Sequence, residues 1–97
     1  MILLFAGNRP LHLSSSKNHV QIVKFLLEEG VDIEARNKDS ETSLIIAANC
    51  GHLSVVKYLV RYDANVNAKD KSDFTPLMRA VKEGQFKVVR YLLSTNK

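Results

Sequence analysis

The stretch TSLIIAANCGHLSVVKYL, residues 42–59, returns 33 residues later as TPLMRAVKEGQFKVVRYL, residues 75–92. Laid over one another without a gap, the windows agree at Thr42/Thr75, Leu44/Leu77, Ala47/Ala80, Gly51/Gly84, Val55/Val88, Val56/Val89, Tyr58/Tyr91 and Leu59/Leu92. A fainter copy lies upstream, where Leu11, Val23 and Leu26 keep the same spacing from their counterparts. A fixed period of this length marks a repeat array, in which each unit must stack on its neighbours to bury its apolar face.

Each unit has a physical reading. Thr42 and Thr75 have hydroxyls able to accept a hydrogen bond from backbone amides one turn on, as N-caps do. Pro10 and Pro76 fall at the first helical position, where a missing N–H costs nothing. A first helix is expected over about 10–17, 43–50 and 76–83, ending at Asn18, Gly51 or Gly84. Glycine, and asparagine less readily, tolerates the left-handed backbone that closes a helix. A second helix is expected over about 20–29, 53–62 and 86–94. Its paired apolar residues, Ile22/Val23 with Leu26/Leu27 and their counterparts through Leu92/Leu93, form one buried stripe. Lys24, Lys57 and Arg90 form a basic row on the opposite face, most simply read as solvated. Between units, VDIEARNKDSE and ANVNAKDKSDF carry alternating Ile33/Ala35 and Val66/Ala68 and read as short β-hairpin-like fingers.

With these residues in view the chain resembles the ankyrin repeat family. RPLHLS (9–14), TSLIIA (42–47) and TPLMRA (75–80) are similar to its T-P-L-H-x-A signature. The resemblance implies an all-α repeat solenoid, a right-handed stack of helix-turn-helix units joined by those fingers. One domain spans 1–97, with units at about 4–36, 37–69 and 70–97, the first and last incomplete. Obvious polar caps are missing at both ends, which points either to one segment of a longer array or to covered end faces, MILLF included. Two departures in the units stand out. Ile45 and Met78 replace the signature histidine kept at His12, and Ser14 and Ser15 stand where small alanines usually pack. Asn67 is similar in position to connector asparagines that asparaginyl hydroxylases modify in some ankyrin repeats, but a structural role in the turn is the simpler expectation.

Composition sets the class. With 45% hydrophobic and 25% charged residues, the chain has the make-up of a globular protein. A single cysteine excludes an internal disulfide framework, so an intracellular setting, cytoplasmic or nuclear, is expected. The opening MILLFAG lacks a basic n-region, and no run approaches the ~20 apolar residues of a membrane span. The net charge of +4 lies wholly in residues 74–97, where Arg79, Lys82, Lys87, Arg90 and Lys97 face Glu83 alone.

The pairing of Cys50 with His52 raises the question of chemistry. In the repeat Cys50 aligns with Lys17 and Glu83, a permissive helix end, and a chain-reversing glycine separates the two side chains. A nucleophile would need an oriented base, and zinc three or four ligands. No catalytic residue, metal site or cofactor is assigned, and the chain is read as a non-enzyme.

The resemblance instead implies protein recognition through the concave face and finger tips. The period leaves free there Lys38, Asp39 and Glu41 in one finger, and Lys71, Ser72 and Phe74 in the next. The first helices add Ile46, Asn49, Arg79 and Lys82. Phe74 aligns with the polar Asn8 and Glu41, and Arg79 with the aliphatic Leu13 and Ile46, so neither side chain is required by the repeat. The basic third unit favours an acidic segment on a partner protein. The alternatives are a segment of a larger array without independent activity, and weak anion or nucleic-acid binding through the third unit. Nucleic acid is disfavoured because the charge excess is small and no aromatic stacking platform lies among the lysines.

Overall fold

A computed structural model describes residues 7–95, which form six helices: α1 (Pro10–Ser16), α2 (Val20–Glu28), α3 (Ser43–Cys50), α4 (Leu53–Arg61), α5 (Pro76–Lys82) and α6 (Phe86–Thr95). The expected threonine caps start α3 and α5. The Thr42 hydroxyl accepts the Ile45 N–H at 3.3 Å, and the Thr75 hydroxyl accepts that of Met78 at 3.2 Å. The first unit has Arg9 at this position, and His12 provides a different solution. His12 Nδ1 accepts the Arg9 backbone N–H at 2.9 Å. The proton therefore sits on Nε2, which donates to the carbonyls of Ala35 (2.9 Å) and Glu41 (3.1 Å). One buried ring thus opens α1 and fastens it to the finger beyond. The closing turns are left-handed as expected, with φ of 60° at Asn18, 77° at Gly51 and 70° at Gly84.

The units stack in two layers. Helices α1, α3 and α5 form an inner layer packed closely together, and α2, α4 and α6 form an outer layer in looser contact. Ala47, Ala48 and Ala80 are wholly buried, and their small side chains let the inner helices approach. Leu44, Val55, Val56 and Leu59 fill the space between the layers. Burying one such side chain is worth about 1.5–3 kcal/mol. Polar ties repeat as well. His52 Nε2 donates to the Ser16 carbonyl at 3.0 Å, and Gln85 Nε2 to the Asn49 carbonyl at 3.0 Å. Different residues make the same bond one unit apart. Gln85 lies directly across Gly51, so a Cβ there would collide with its carboxamide, whereas Gly84 has open space around it.

Two expectations are corrected. Ile22 and Leu93, assigned to the buried stripes, are 49% and 54% exposed. Their counterparts Val55 and Leu27 are buried because a neighbouring unit covers them, which the period alone does not register. The fingers are loops without a strand among the described residues. Each is closed by two backbone bonds: Asn37 N–H to Glu41 O (3.1 Å) with Ser40 N–H to Asn37 O (3.0 Å), and Asp70 N–H to Phe74 O (3.0 Å) with Asp73 N–H to Asp70 O (2.9 Å). The MILLF end lies outside the described residues.

Of the two serines replacing alanine, Ser14 satisfies its hydroxyl on the Pro10 carbonyl at 2.9 Å, while the fully buried Ser15 hydroxyl has no partner among the described residues. Ser15→Ala, which copies Ala48, should raise stability in urea unfolding by about 1 kcal/mol. Gly84→Ala should cost about 1 kcal/mol for the left-handed backbone alone. Gly51→Ala should cost roughly a further 1 kcal/mol by displacing Gln85 from its bond. Equal urea midpoints for the two glycine variants would contradict the contact.

Candidate partner-binding face

The fingers owe their shape to Asn37 and Asp70, which are equivalent in the repeat. Asn37 Oδ1 accepts the backbone N–H groups of Asp39 and Glu41, both at 3.0 Å. Asp70 Oδ1 accepts those of Ser72 (2.9 Å) and Phe74 (3.0 Å). A side-chain oxygen therefore folds each loop onto itself, as Asx turns do. The second valence differs between the fingers. Asn37 Nδ2 donates to Asn8 Oδ1 (2.9 Å) and Glu41 Oε1 (2.8 Å). Asp70 Oδ2 instead takes the Arg79 guanidinium through Nε at 2.8 Å and through a terminal nitrogen at 2.7 Å. Asn37 goes with aliphatic Ile46, and Asp70 goes with Arg79.

This exchange explains the third unit. Arg79, once anchored, lies over the Phe74 ring at 4.2 Å, and the Lys82 ammonium approaches the same ring at 5.5 Å. The result is a half-buried aromatic held between two cations, with one cation neutralised by a buried carboxylate. Burial opposes ionisation of Asp70. The Phe74 N–H, the Arg79 guanidinium and the Ser72 N–H together outweigh it and hold the carboxyl below its usual range.

Neighbouring fingers are also tied. The Lys71 N–H donates to the Asp39 carbonyl at 3.0 Å. Arg36 bridges the Ser40 (2.8 Å) and Lys69 (2.6 Å) carbonyls. The Glu34 carboxylate accepts the Asn65 N–H at 2.8 Å.

Lys38, Asp39, Lys71 and Ser72 are exposed at the finger tips, and Lys82 is exposed on α5. Glu41, Ile46, Asn49, Phe74 and Arg79 are half-buried, with Glu41 engaged by Asn37 and the Asn49 carbonyl by Gln85. Arg79 is thus held by the fold, contrary to its reading as a charge independent of it. Sequence reasoning missed Arg36, Asn37 and Asp70. Their signal was the Asn37/Asp70 correspondence at the repeat period, directly beside Lys38 and Lys71.

The Cys50–His52 pair shows no catalytic geometry. Cys50 is exposed, and His52 turns away to Ser16. Partial burial, then the charges of Glu41 and Glu83, push the thiol up from its ordinary value, opposite to the shift that activates a thiolate. Asn67 uses its backbone N–H, bonded to Asn65 Oδ1 at 2.9 Å, while the residue is exposed.

Asp70→Asn tests the clamp. The variant keeps an oxygen for the turn but loses the ion pair, and should be less stable by about 2 kcal/mol at neutral pH. Because folding depresses the Asp70 pKa, its contribution is fully present above the unfolded value, about pH 4, and is lost as pH falls through the folded one. The gap between parent and variant in urea unfolding should therefore close below about pH 4. A pH-independent gap would contradict the assignment.

Comparison with known proteins agrees with the architecture. The family model for ankyrin repeats matches residues 11–97 in three copies. The chain is similar to the E3 ubiquitin-protein ligase XBAT32 of Arabidopsis thaliana, with 48% identity over 40 residues, 41% of this chain and 8% of that protein. It is also similar to the E3 ubiquitin-protein ligase XBAT33 of the same plant, with 46% identity over 44 residues, 44% of this chain and 9% of that protein. An ankyrin repeat protein of fowlpox virus, FPV230, is 44% identical over 41 residues, 42% of this chain and 22% of its own length. Each match thus spans a small part of the relative. Three stacked helix pairs, capped and turned at a 33-residue period and matched by the family model, make this chain a member of the ankyrin repeat family.

Proposed function

We propose that the chain is a non-catalytic, intracellular scaffold that binds a partner protein through its concave face and finger tips. Ankyrin repeats are in general protein–protein interaction modules, and no helix among the described residues is long and apolar enough to cross a membrane. One observation carries the choice of face. Phe74, at a position where the other units have Asn8 and Glu41, is held by Arg79 and Lys82 before any partner arrives. A pre-ordered aromatic beside a cation is the usual composition of an interface anchor, and its rigidity lowers the entropy lost on binding.

The preferred partner segment carries an apolar residue to lie against Phe74 and Ile46, and a carboxylate within reach of Lys82 or Lys71. Arg79 is already compensated by Asp70, so it orients the ring and contributes little free charge. Lys38, Lys71 and Lys82 supply the attraction that speeds encounter.

A peptide-display selection against the parent chain tests this reading. Enriched sequences should combine apolar and acidic residues. Their affinity should fall at least about tenfold for Phe74→Ala/Lys82→Glu, the loss of one anchor and its charge. Circular dichroism must first show that the variant is folded. Unchanged binding by the folded variant would overturn the assignment to this face.

A further inference from the structure

The outer wall carries a feature that protein recognition on the concave side leaves unused. Helices α4 and α6, LSVVKYLVR and FKVVRYLLST, contain Lys57, Arg61, Lys87 and Arg90 and no acidic residue. Between them runs an open groove of about 340 Å³ lined by Leu53, Lys57, Lys87, Arg90, Tyr91 and Ser94. Three cations therefore line one depression with no carboxylate among them, and none of the three forms an ion pair among the described residues. Aromatic faces steady two of them without cancelling their charge. The Lys57 ammonium lies 5.7 Å from the Tyr91 ring centre, and the Arg90 guanidinium 5.5 Å from that of Phe86.

We propose that this groove is a second binding site, one that takes a phosphorylated side chain of a partner protein. The charge count points to phosphate. A carboxylate carries a single negative charge, whereas a phosphomonoester carries about −1.5 to −2 and offers three acceptor oxygens. The Ser94 hydroxyl is already committed to the Tyr91 carbonyl at 2.6 Å, so Lys57, Lys87 and Arg90 supply the donors. Arg90 provides a planar fork suited to two phosphate oxygens, and the lysines act as point charges. Leu53 and the Tyr91 ring give apolar surface beside the charges, where the backbone flanking a phosphorylated residue can rest. A flat lipid surface gains little from a concave groove. Duplex nucleic acid needs a longer stripe, since phosphate-tracking proteins make about 6–10 such contacts.

The probe is a short glycine–serine peptide bearing one phosphoserine, titrated into the isotope-labelled full chain and followed by amide shifts. Saturable shifts should cluster at Leu53, Lys57, Lys87, Arg90 and Tyr91. The unphosphorylated peptide should produce none, and raising the salt should weaken binding. Arg90→Gln and Lys57→Gln should each lower affinity about tenfold while the amide spectrum stays folded. Lys87→Gln serves as a second variant should either of those disturb the helix. Phe74→Ala/Lys82→Glu, on the opposite face, should leave phosphopeptide binding unchanged, which separates this site from the concave one. The proposal is overturned if the phosphopeptide gives no saturable shifts, if its shifts fall on the finger tips, or if the glutamine variants bind it normally. It is equally overturned if anionic lipid vesicles or plain duplex DNA bind the groove and the phosphopeptide does not.

Discussion

The structure depends on the burial of the middle unit between its two neighbours. Ile45, Ala47, Ala48, Val55, Val56 and Leu59 have no solvent exposure, and no helix pair could achieve this alone. Helices of eight or nine residues are too short to be stable in isolation, so packing must supply what propensity does not. The polar ties follow from that stacking. His52 reaches Ser16 and Gln85 reaches Asn49 because the inner helices are brought close by alanine. The fingers, whose two loops are bonded to each other through Lys71 and Arg36, are held at a spacing set by the helices behind them.

Charge is divided between the two faces in different ways. On the concave side, Asp70 absorbs the charge of Arg79 and converts it into a support for Phe74. That side gains a rigid ring and a few free lysines. On the outer wall, α4 and α6 have no carboxylate, and Lys57, Arg61 and Arg90 rest against aromatic rings. The positive excess of residues 74–97 thus has separate destinations. Its concave part is partly spent within the fold, and its convex part is left to solvent or to an anionic ligand.

Much of this was legible in the residues. The period located all six helices to within about two residues, since Thr caps, Pro at the first turn and Gly or Asn at the end are local signals. The exposure of Ile22 and Leu93 was not legible, because a periodic pattern treats every unit alike while, among the described residues, the first and third units have a neighbouring unit on one side only. The finger loops lacked the expected ladder because one Asx oxygen closes each of them within five residues. The Asp70–Arg79 pair was hidden for a related reason. Arg79 looked like a free substitution, Asp70 carried no reading of its own, and only their proximity across nine residues of chain joins them. His12 shows the reverse case. Its place in the signature was visible, but its three partners, in two different segments, appear only in the fold.

The central claim is that the middle unit is the most protected part of the stack and holds both faces in register. Native-state hydrogen exchange, resolved by residue, tests it most directly. In a one-dimensional stack, end units fray while the interior exchanges only by global unfolding. Amides of α3 and α4 should therefore be the slowest, with protection matching the global stability from urea unfolding, and those of α2 and α6 should exchange faster. Slower exchange in α2 or α6 than in α4 would contradict the account, because an end unit would then be the folding core and the two faces would not depend on the middle.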